Sequence, residues 1–256
     1  MSTIAVIPAR MASSRFPGKP MALIHGMPMI GHCYCRVRLC QALDETYVAT
    51  CDREIYNYID SVGGKAIMTA DTHERASDRA AEAMLKIEEA RGEKTDLLVM
   101  VQGDEPMDTP EMISEALAPL LQDEAVQVVN LMGRIDSTAE FEDPNNVKVV
   151  VGPDSNAIYF SREPIPSRKK SIEDVPMLKQ ICVIPFRRDY LLKFNKTPET
   201  PLERIESVDM LRVLESGGAV RMVMTDYPSV GVDTPQDLEV VKDLMMNDSL
   251  MREYLD

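Results

Sequence analysis

Residues 8–19 of the 256-residue chain read PARMASSRFPGK, gathering Arg10, Arg15 and Lys19 with Ser13, Ser14 and Gly18 in one loop. Fixed cations beside backbone amides can neutralise phosphate oxygens, so the loop suits a triphosphate. Its spacing is neither that of a P-loop nor that of a GxGxxG turn. On charge spacing alone the string also reads as an exposed basic turn, because loops commonly carry polar residues.

Such a loop needs a strand before it and a sheet around it. TIAVIP at 3–8 is β-branched and apolar, which predicts a buried strand ending where the basic loop begins. The cleft beyond strand C-termini is the usual ligand site of an α/β sheet. MIGHCYCRVRLC at 29–40 predicts a helix and TYVAT at 46–50 the next strand, completing a β-α-β unit. Asp52 is expected to cap a helix running to Ser61, stopped by Gly63 and Gly64. A short strand at 65–68 and a helix at 76–90 follow. DLLVMVQ at 96–102 has the continuous apolar character of a central parallel strand, closed by the polar GDEP. Beyond it come a helix over 110–122, strands over 126–132 and 146–151, and helices near 201–216 and 235–246 on either side of a strand at 219–225. Residues 152–190 are richer in Pro and charge and predict a smaller strand-rich excursion. The expectation is one α/β domain over 1–256, with a mostly parallel central sheet flanked by helices.

Composition narrows the function classes. Hydrophobic residues make up 45% of the chain, enough for a substantial core. With 42 acidic against 28 basic residues the formal charge is −14, and the mean field repels nucleic acid and anionic membrane. A local basic loop still attracts a small anion within about 10 Å, the screening length near 0.1 M salt. The start, MSTIAVIPAR, lacks a leader pattern, no apolar stretch is long enough to insert in a membrane, and five cysteines fit no zinc-ribbon spacing, so the cytoplasm is the expected compartment. His25, His32 and His73 have no zinc spacing, and Cys33 and Cys35 face different sides of their helix, so ordinary structural roles are expected for all of them.

The string at 8–19 resembles the N-terminal signature of cytidylyltransferases that make CMP-activated sugar acids, particularly the 3-deoxy-manno-octulosonate (Kdo) cytidylyltransferase family. The similarity continues in VQGDEP at 101–106, PNNVKVV at 144–150, YFSREPIP at 159–166, PLERIE at 201–206, LRVLESG at 211–217 and GVDTPQDLE at 231–239. The resemblance implies a nucleotide-diphospho-sugar transferase-like fold, an essential Mg²⁺, a homodimer, and attack by an acidic acceptor on the α-phosphate of CTP. By position it places Arg10, Ser13, Arg15 and Lys19 on the nucleotide phosphates and Ala76 and Ser77 near cytosine. Asp104 and Asp233 become the metal residues, and Arg79 and Gln102 partners of the acid. Two carboxylates also make sense on general grounds, since Mg²⁺ takes a few carboxylates together with waters and phosphates. Asp233 precedes Thr-Pro and reads equally as a helix cap, Asp104 as a turn-forming residue, and Arg79 as a surface residue paired with Glu82.

The acceptor segment departs from the family pattern. Where the pattern has a basic residue, His, then Leu/Ile-Gly-Ile-Tyr, this chain has Lys179, Gln180, Ile181, Cys182, Val183 and Ile184, and Asp209 stands where a Glu is common. A site built on hydrogen bonds discriminates strongly when its partners change. The expected acceptor is therefore Kdo or a Kdo-like acid such as 8-amino-Kdo, with a nonulosonic acid or a phosphonate as the alternative. A non-catalytic nucleotide-binding protein is the reading from another class, and the retained Arg10, Lys19, Asp104 and Asp233 argue against it.

Overall fold

The computed structural model describes residues 1–13, 15–170 and 175–255. The chain forms two compact units, residues 1–114 with 228–256, and residues 115–227. The segment 152–190 falls inside the second.

The first unit opens with β1 (Thr3–Ala9), a 3-10 turn (Lys19–Met21), the hairpin β2 (Leu23–Ile24) and β3 (Met27–Pro28), and α1 (Met29–Arg38). It continues with β4 (Glu45–Thr50), α2 (Arg53–Ser61), β5 (Ala66–Met68), α3 (Ala76–Arg91) and β6 (Leu97–Val101). Strands β6, β1, β4 and β5 lie side by side in that order, all parallel, with Thr3 opposite Leu97, Ile4 opposite Glu45 and Val48 opposite Ala66. Ile4 to Ile7 and Leu97 to Val101 are buried, as the central strands of a helix-covered parallel sheet must be. Helix α4 (Pro110–Gln122) leads into the second unit.

That unit holds β7 (Val129–Arg134), α5 (Thr138–Glu142), β8 (Lys148–Val151), β9 (Ala157–Ser161), β10 (Leu178–Ile181), β11 (Val183–Arg187), α6 (Arg188–Lys196), α7 (Pro201–Glu206), α8 (Met210–Glu215) and β12 (Arg221–Met224). Its sheet runs β12-β7-β10-β8-β9, parallel between β12 and β7 and antiparallel elsewhere. Helices α9 (Pro235–Met245) and α10 (Ser249–Leu255) return to the first unit. The fold is the expected α/β arrangement, a mostly parallel central sheet flanked by helices.

Several boundaries differ from expectation for local reasons. The strand expected from 126 begins at Val129, because Val126 closes a turn onto Asp123 and the Gln127 amide donates to the carbonyls of Glu124 and Ala125. Residues 201–216 form two helices. α7 ends at Ser207, whose φ of 53° is left-handed, and α8 folds back so that Arg212 Nε meets Glu203 Oε2 at 2.7 Å in a fully buried ion pair. Asp52 occupies the cap position of α2 but does not cap with its side chain. Its Oδ2 instead accepts from the Met11 amide at 2.8 Å and ties down the basic loop.

Candidate active site

In the first unit the loop after β1 and the loop after β6 leave neighbouring parallel strands at their C-terminal ends. Gly103 allows them to approach closely: a Cβ there would lie 3.0 Å from the Pro8 carbonyl oxygen and 3.0 Å from Ile30 Cδ1. The basic loop closes through Gly18 N donating to Met11 O at 3.1 Å, with Gly18 itself left-handed at φ 74°. That turn sends Lys19 inward.

Lys19 is the hub. Its side chain is 11% exposed, and Nζ donates to Asp104 Oδ2 at 2.7 Å and to Val232 O at 2.7 Å, with Asp233 Oδ1 at 3.5 Å. Arg15 Nη2 reaches the same Asp233 oxygen at 2.8 Å. Both aspartates remain 26% exposed, so each keeps an open face beside its cation. The backbone locks the arrangement, with Val232 N donating to Asp104 O at 2.9 Å.

Asp233 is not the helix cap. Thr234 takes that position, its Oγ1 accepting from Asp237 N while Asp237 Oδ2 accepts from Thr234 N and Asp233 N. This capping box fixes the Asp233 backbone and leaves its carboxylate to the cations. Asp104 likewise turns its carboxylate to Lys19.

Beneath these loops lies a buried polar layer. Ser229 Oγ stands 3.1 Å from Glu105 Oε2 and 3.4 Å from Asp108 Oδ1. Burial, then the adjacent Glu105 charge, raises the Asp108 carboxyl well above the usual carboxylate range. Arg36, on α1, donates Nε to Asp108 O and Nη2 to Met107 O and pairs with Asp248. Burial and the nearby Asp108 carboxylate also push the Cys33 thiol up, which removes it as a nucleophile.

The remaining candidates are distributed as follows. Arg10 is exposed at the end of β1, and Ser13 Oγ accepts from Phe16 N within the basic loop. Ser14 lies outside the described residues. Gln102 is half-buried two residues before Asp104. Ala76 and the buried Ser77 begin α3. Arg79, expected to pair with Glu82 if a surface residue, is buried and donates to Thr69 Oγ1 and to the carbonyls of Ala70 and His73. Glu82 pairs instead with His73 and Lys86. Gln180 and Asp209 belong to the second unit. The Gln180 amide donates to Asn130 Oδ1, and Asp209 occupies the N-cap position just before α8. The histidines have structural partners: His25 meets Lys242 O, His32 bridges Ile24 O and the Tyr254 hydroxyl, and His73 meets Glu82.

Sequence reasoning missed Val232, Ser229, Arg36 and Asn130, and it gave Asp52 a capping role in place of its bond to the basic loop. The signal nearest to hand was VQGDEP, which includes Glu105, whereas a carbonyl acceptor such as that of Val232 leaves no mark in side-chain chemistry.

A metal here would find the carboxylates of Asp104 and Asp233. Among the described residues no group of three or more His, Cys, Asp or Glu could hold an ion. Asp104 and Asp233, with hard oxygen donors and open faces, fit a magnesium ion that completes its shell from water and phosphate, and fit poorly a zinc site closed by protein ligands.

Cations and carboxylates converge at the strand ends of a parallel sheet, and residues 4–224 match the sequence profile of the cytidylyltransferases. The chain belongs to that family and is a nucleotidyltransferase. Its relatives include the 3-deoxy-manno-octulosonate cytidylyltransferase of Geobacter metallireducens, 41% identical over 251 residues, covering 94% of this chain and 96% of that protein. The enzyme of the same name from Syntrophotalea carbinolica is 44% identical over 246 residues, covering 93% and 96%. A solved structure of CMP:2-keto-3-deoxy-manno-octonic acid synthetase complexed with CTP matches with a TM-score of 0.88 at 39% identity, covering 97% of this chain and all of that one. A cytidylyltransferase from Leptospira borgpetersenii, 14% identical with a TM-score of 0.64 and coverage of 96% and 87%, shares the fold. No helix among the described residues is long and apolar enough to cross a membrane.

Proposed function

We propose that the protein transfers CMP from CTP to Kdo or a closely related ulosonic acid, using Mg²⁺ and releasing pyrophosphate. The observation that carries this is the meeting of Lys19 and Arg15 with Asp104 and Asp233 where two parallel strands end. The names of the relatives point to CTP and the acidic sugar. Phosphoryl transfer asks little covalent chemistry of a protein, and positioning with charge neutralisation does most of the work. Lys19, Arg15 and Arg10 would bind the triphosphate oxygens and stabilise the departing pyrophosphate. Ser13 would contribute a hydroxyl in the same loop. Asp104 and Asp233 would hold the metal, which when bound supplies Lewis-acid polarisation of phosphoryl oxygens. Ala76 and Ser77 would face cytosine, and Gln102 and Arg79 the acid, Arg79 by fixing the 69–73 loop.

Acceptor choice is the second half of the proposal. Asn130 is buried and spends its Nδ2 on Leu131 O at 2.8 Å and Ile181 O at 2.7 Å. Its Oδ1 must therefore accept from Gln180, which leaves the Gln180 amide oxygen as an acceptor. That favours an acid offering a hydroxyl or an ammonium there, and 8-amino-Kdo belongs beside Kdo among the substrates. Asp209 would serve the same side of the reaction. The setting we assign is a cytoplasmic homodimer that supplies precursors of bacterial surface lipopolysaccharide.

The test is pyrophosphate release with Mg²⁺, each nucleoside triphosphate being paired with Kdo, 8-amino-Kdo, a nonulosonic acid and a phosphonate. Release confined to CTP with Kdo or 8-amino-Kdo is expected. Release only with a nonulosonic acid or a phosphonate would replace the acceptor, and no release with any pair would sink the proposal.

A further inference from the structure

The two aspartates stand on loops without regular secondary structure, residues 102–109 and 228–233. No strand ladder or helix fixes the distance between them, so individual contacts must. One is Lys19 Nζ, which bridges Asp104, Val232 O and Asp233, and a second is the backbone bond from Val232 N to Asp104 O. A third is buried. Ser229 is 7% exposed, Glu105 9% and Asp108 1%, and the Ser229 hydroxyl faces both carboxyls. On the far side Arg36 grips the carbonyls of Met107 and Asp108, so the partners of Ser229 do not drift.

We infer that the Ser229 hydroxyl, seated on the Glu105 and Asp108 carboxyls, is a positioning residue that sets where Asp233 stands relative to Asp104. The inference rests on the assignment of those two aspartates in the proposed function. The exit of the 228–233 loop is pinned by the Thr234–Asp237 box and its middle by Val232. Ser229 pins the entry. Without it the segment keeps its fold through the buried Val232 side chain but loses the polar bond that orients the backbone leading to Asp233. Groups that orient metal-holding residues matter in proportion: their removal typically costs about 10–100-fold in metal affinity or activity, and a shift of about 1 Å can cost about 10²-fold in rate.

The experiment compares Ser229→Ala, Ser229→Thr and the wild type by Mn²⁺ binding, followed by electron paramagnetic resonance with CTP present and no acid, and by steady-state kinetics and Tm. Ser229→Ala is expected to weaken Mn²⁺ binding about 10-fold and to lower kcat by a similar factor, with KM for CTP within about twofold. Ser229→Thr keeps the hydroxyl and restores both. Ile59→Val, a buried change on α2, serves as the control that lowers Tm without moving Mn²⁺ affinity. If Ser229→Ala does not fold, Glu105→Ala, which removes the carboxyl that the hydroxyl bonds, must show the same pattern. Mn²⁺ affinity unchanged in Ser229→Ala, or no rescue by Ser229→Thr, overturns the inference. Asp104→Asn separates the two levels: loss of Mn²⁺ binding there with none in Ser229→Ala refutes the positioning role alone. Binding untouched by Asp104→Asn refutes the metal assignment and this inference with it.

Discussion

Replacing Lys19 with Met probes the hub while nearly keeping its volume. The ammonium is 11% exposed and bonds a carboxylate and a carbonyl, each at 2.7 Å, with a second carboxylate at 3.5 Å. Its loss leaves Asp104 and Asp233 facing one another with Arg15 as the remaining cation beside Asp233. A fully buried pair broken this way costs about 3–5 kcal/mol. Here the carboxylates are a quarter exposed and stay solvated, so about 1–3 kcal/mol of stability is the expected loss. The effect on turnover is larger, because a preorganised donor to developing phosphate charge is worth about 10²–10³ in rate. Metal binding moves the other way. With no nucleotide present the ammonium competes with a cation for both carboxylates, and its removal tightens Mn²⁺ binding by about 10-fold, taking a net gain of about 1.4 kcal/mol from an attraction of several kcal/mol at intermediate dielectric. Pyrophosphate release, urea unfolding and Mn²⁺ titration of the nucleotide-free protein measure the three effects. A folded variant with kcat/KM within tenfold of wild type, or with weaker Mn²⁺ binding, refutes the role given to Lys19.

Gly103→Ala is expected to lower kcat about 10-fold or more with a smaller loss of stability, since the new methyl lies 3.0 Å from the Pro8 carbonyl and displaces the loop carrying Asp104; unchanged kinetics in a folded variant would count against that close approach. Arg212→Met should cost the second unit about 3–5 kcal/mol in urea unfolding, because it strands the fully buried Glu203 carboxylate, and a loss under 1 kcal/mol would contradict the assigned burial. Burial raises the Glu82 carboxyl, but hydrogen bonds from Lys86, Ala70 N and His73 outweigh it and bring it down to about 2. A depressed carboxyl stabilises the fold above its unfolded value near 4.5 and ceases to as pH falls towards 2. The stability gap between wild type and Glu82→Gln should therefore be full at pH 6 and vanish near pH 2, and a gap constant over that range would refute the shift.

How far the sequence could be read depended on the kind of interaction. The first sheet was legible because β1 and β6 are continuous apolar runs, a pattern that burial on both faces imposes. Arg15, Lys19 and Asp104 were legible as candidates through the family resemblance, since on their own such loop charges also read as an exposed basic turn and a turn-forming aspartate. For Asp233 two roles stayed open, since a residue before Thr-Pro can cap; Thr234 and Asp237 took the cap between them. Arg79 could not be placed from its helical neighbours, because its partners sit on the preceding loop rather than on α3. The break at Ser207 was hidden as well, as the residues on both sides are good helix formers and the fold-back depends on the Glu203–Arg212 pair. Ser229 and Asp52 act through contacts 121 to 124 and 41 residues away in sequence, which no local pattern encodes.

In the proposed reaction CTP is opened at its α-phosphorus and joined to an acidic sugar. Phosphorus-31 NMR of the protein with CTP, Mg²⁺ and Kdo or 8-amino-Kdo tests it directly. The three CTP resonances are expected to give way to inorganic pyrophosphate and one phosphodiester signal, two pyrophosphate phosphorus atoms for each phosphodiester, with no change when the acid is omitted. Appearance of CDP with inorganic phosphate, or CTP left intact with both acids, would contradict it.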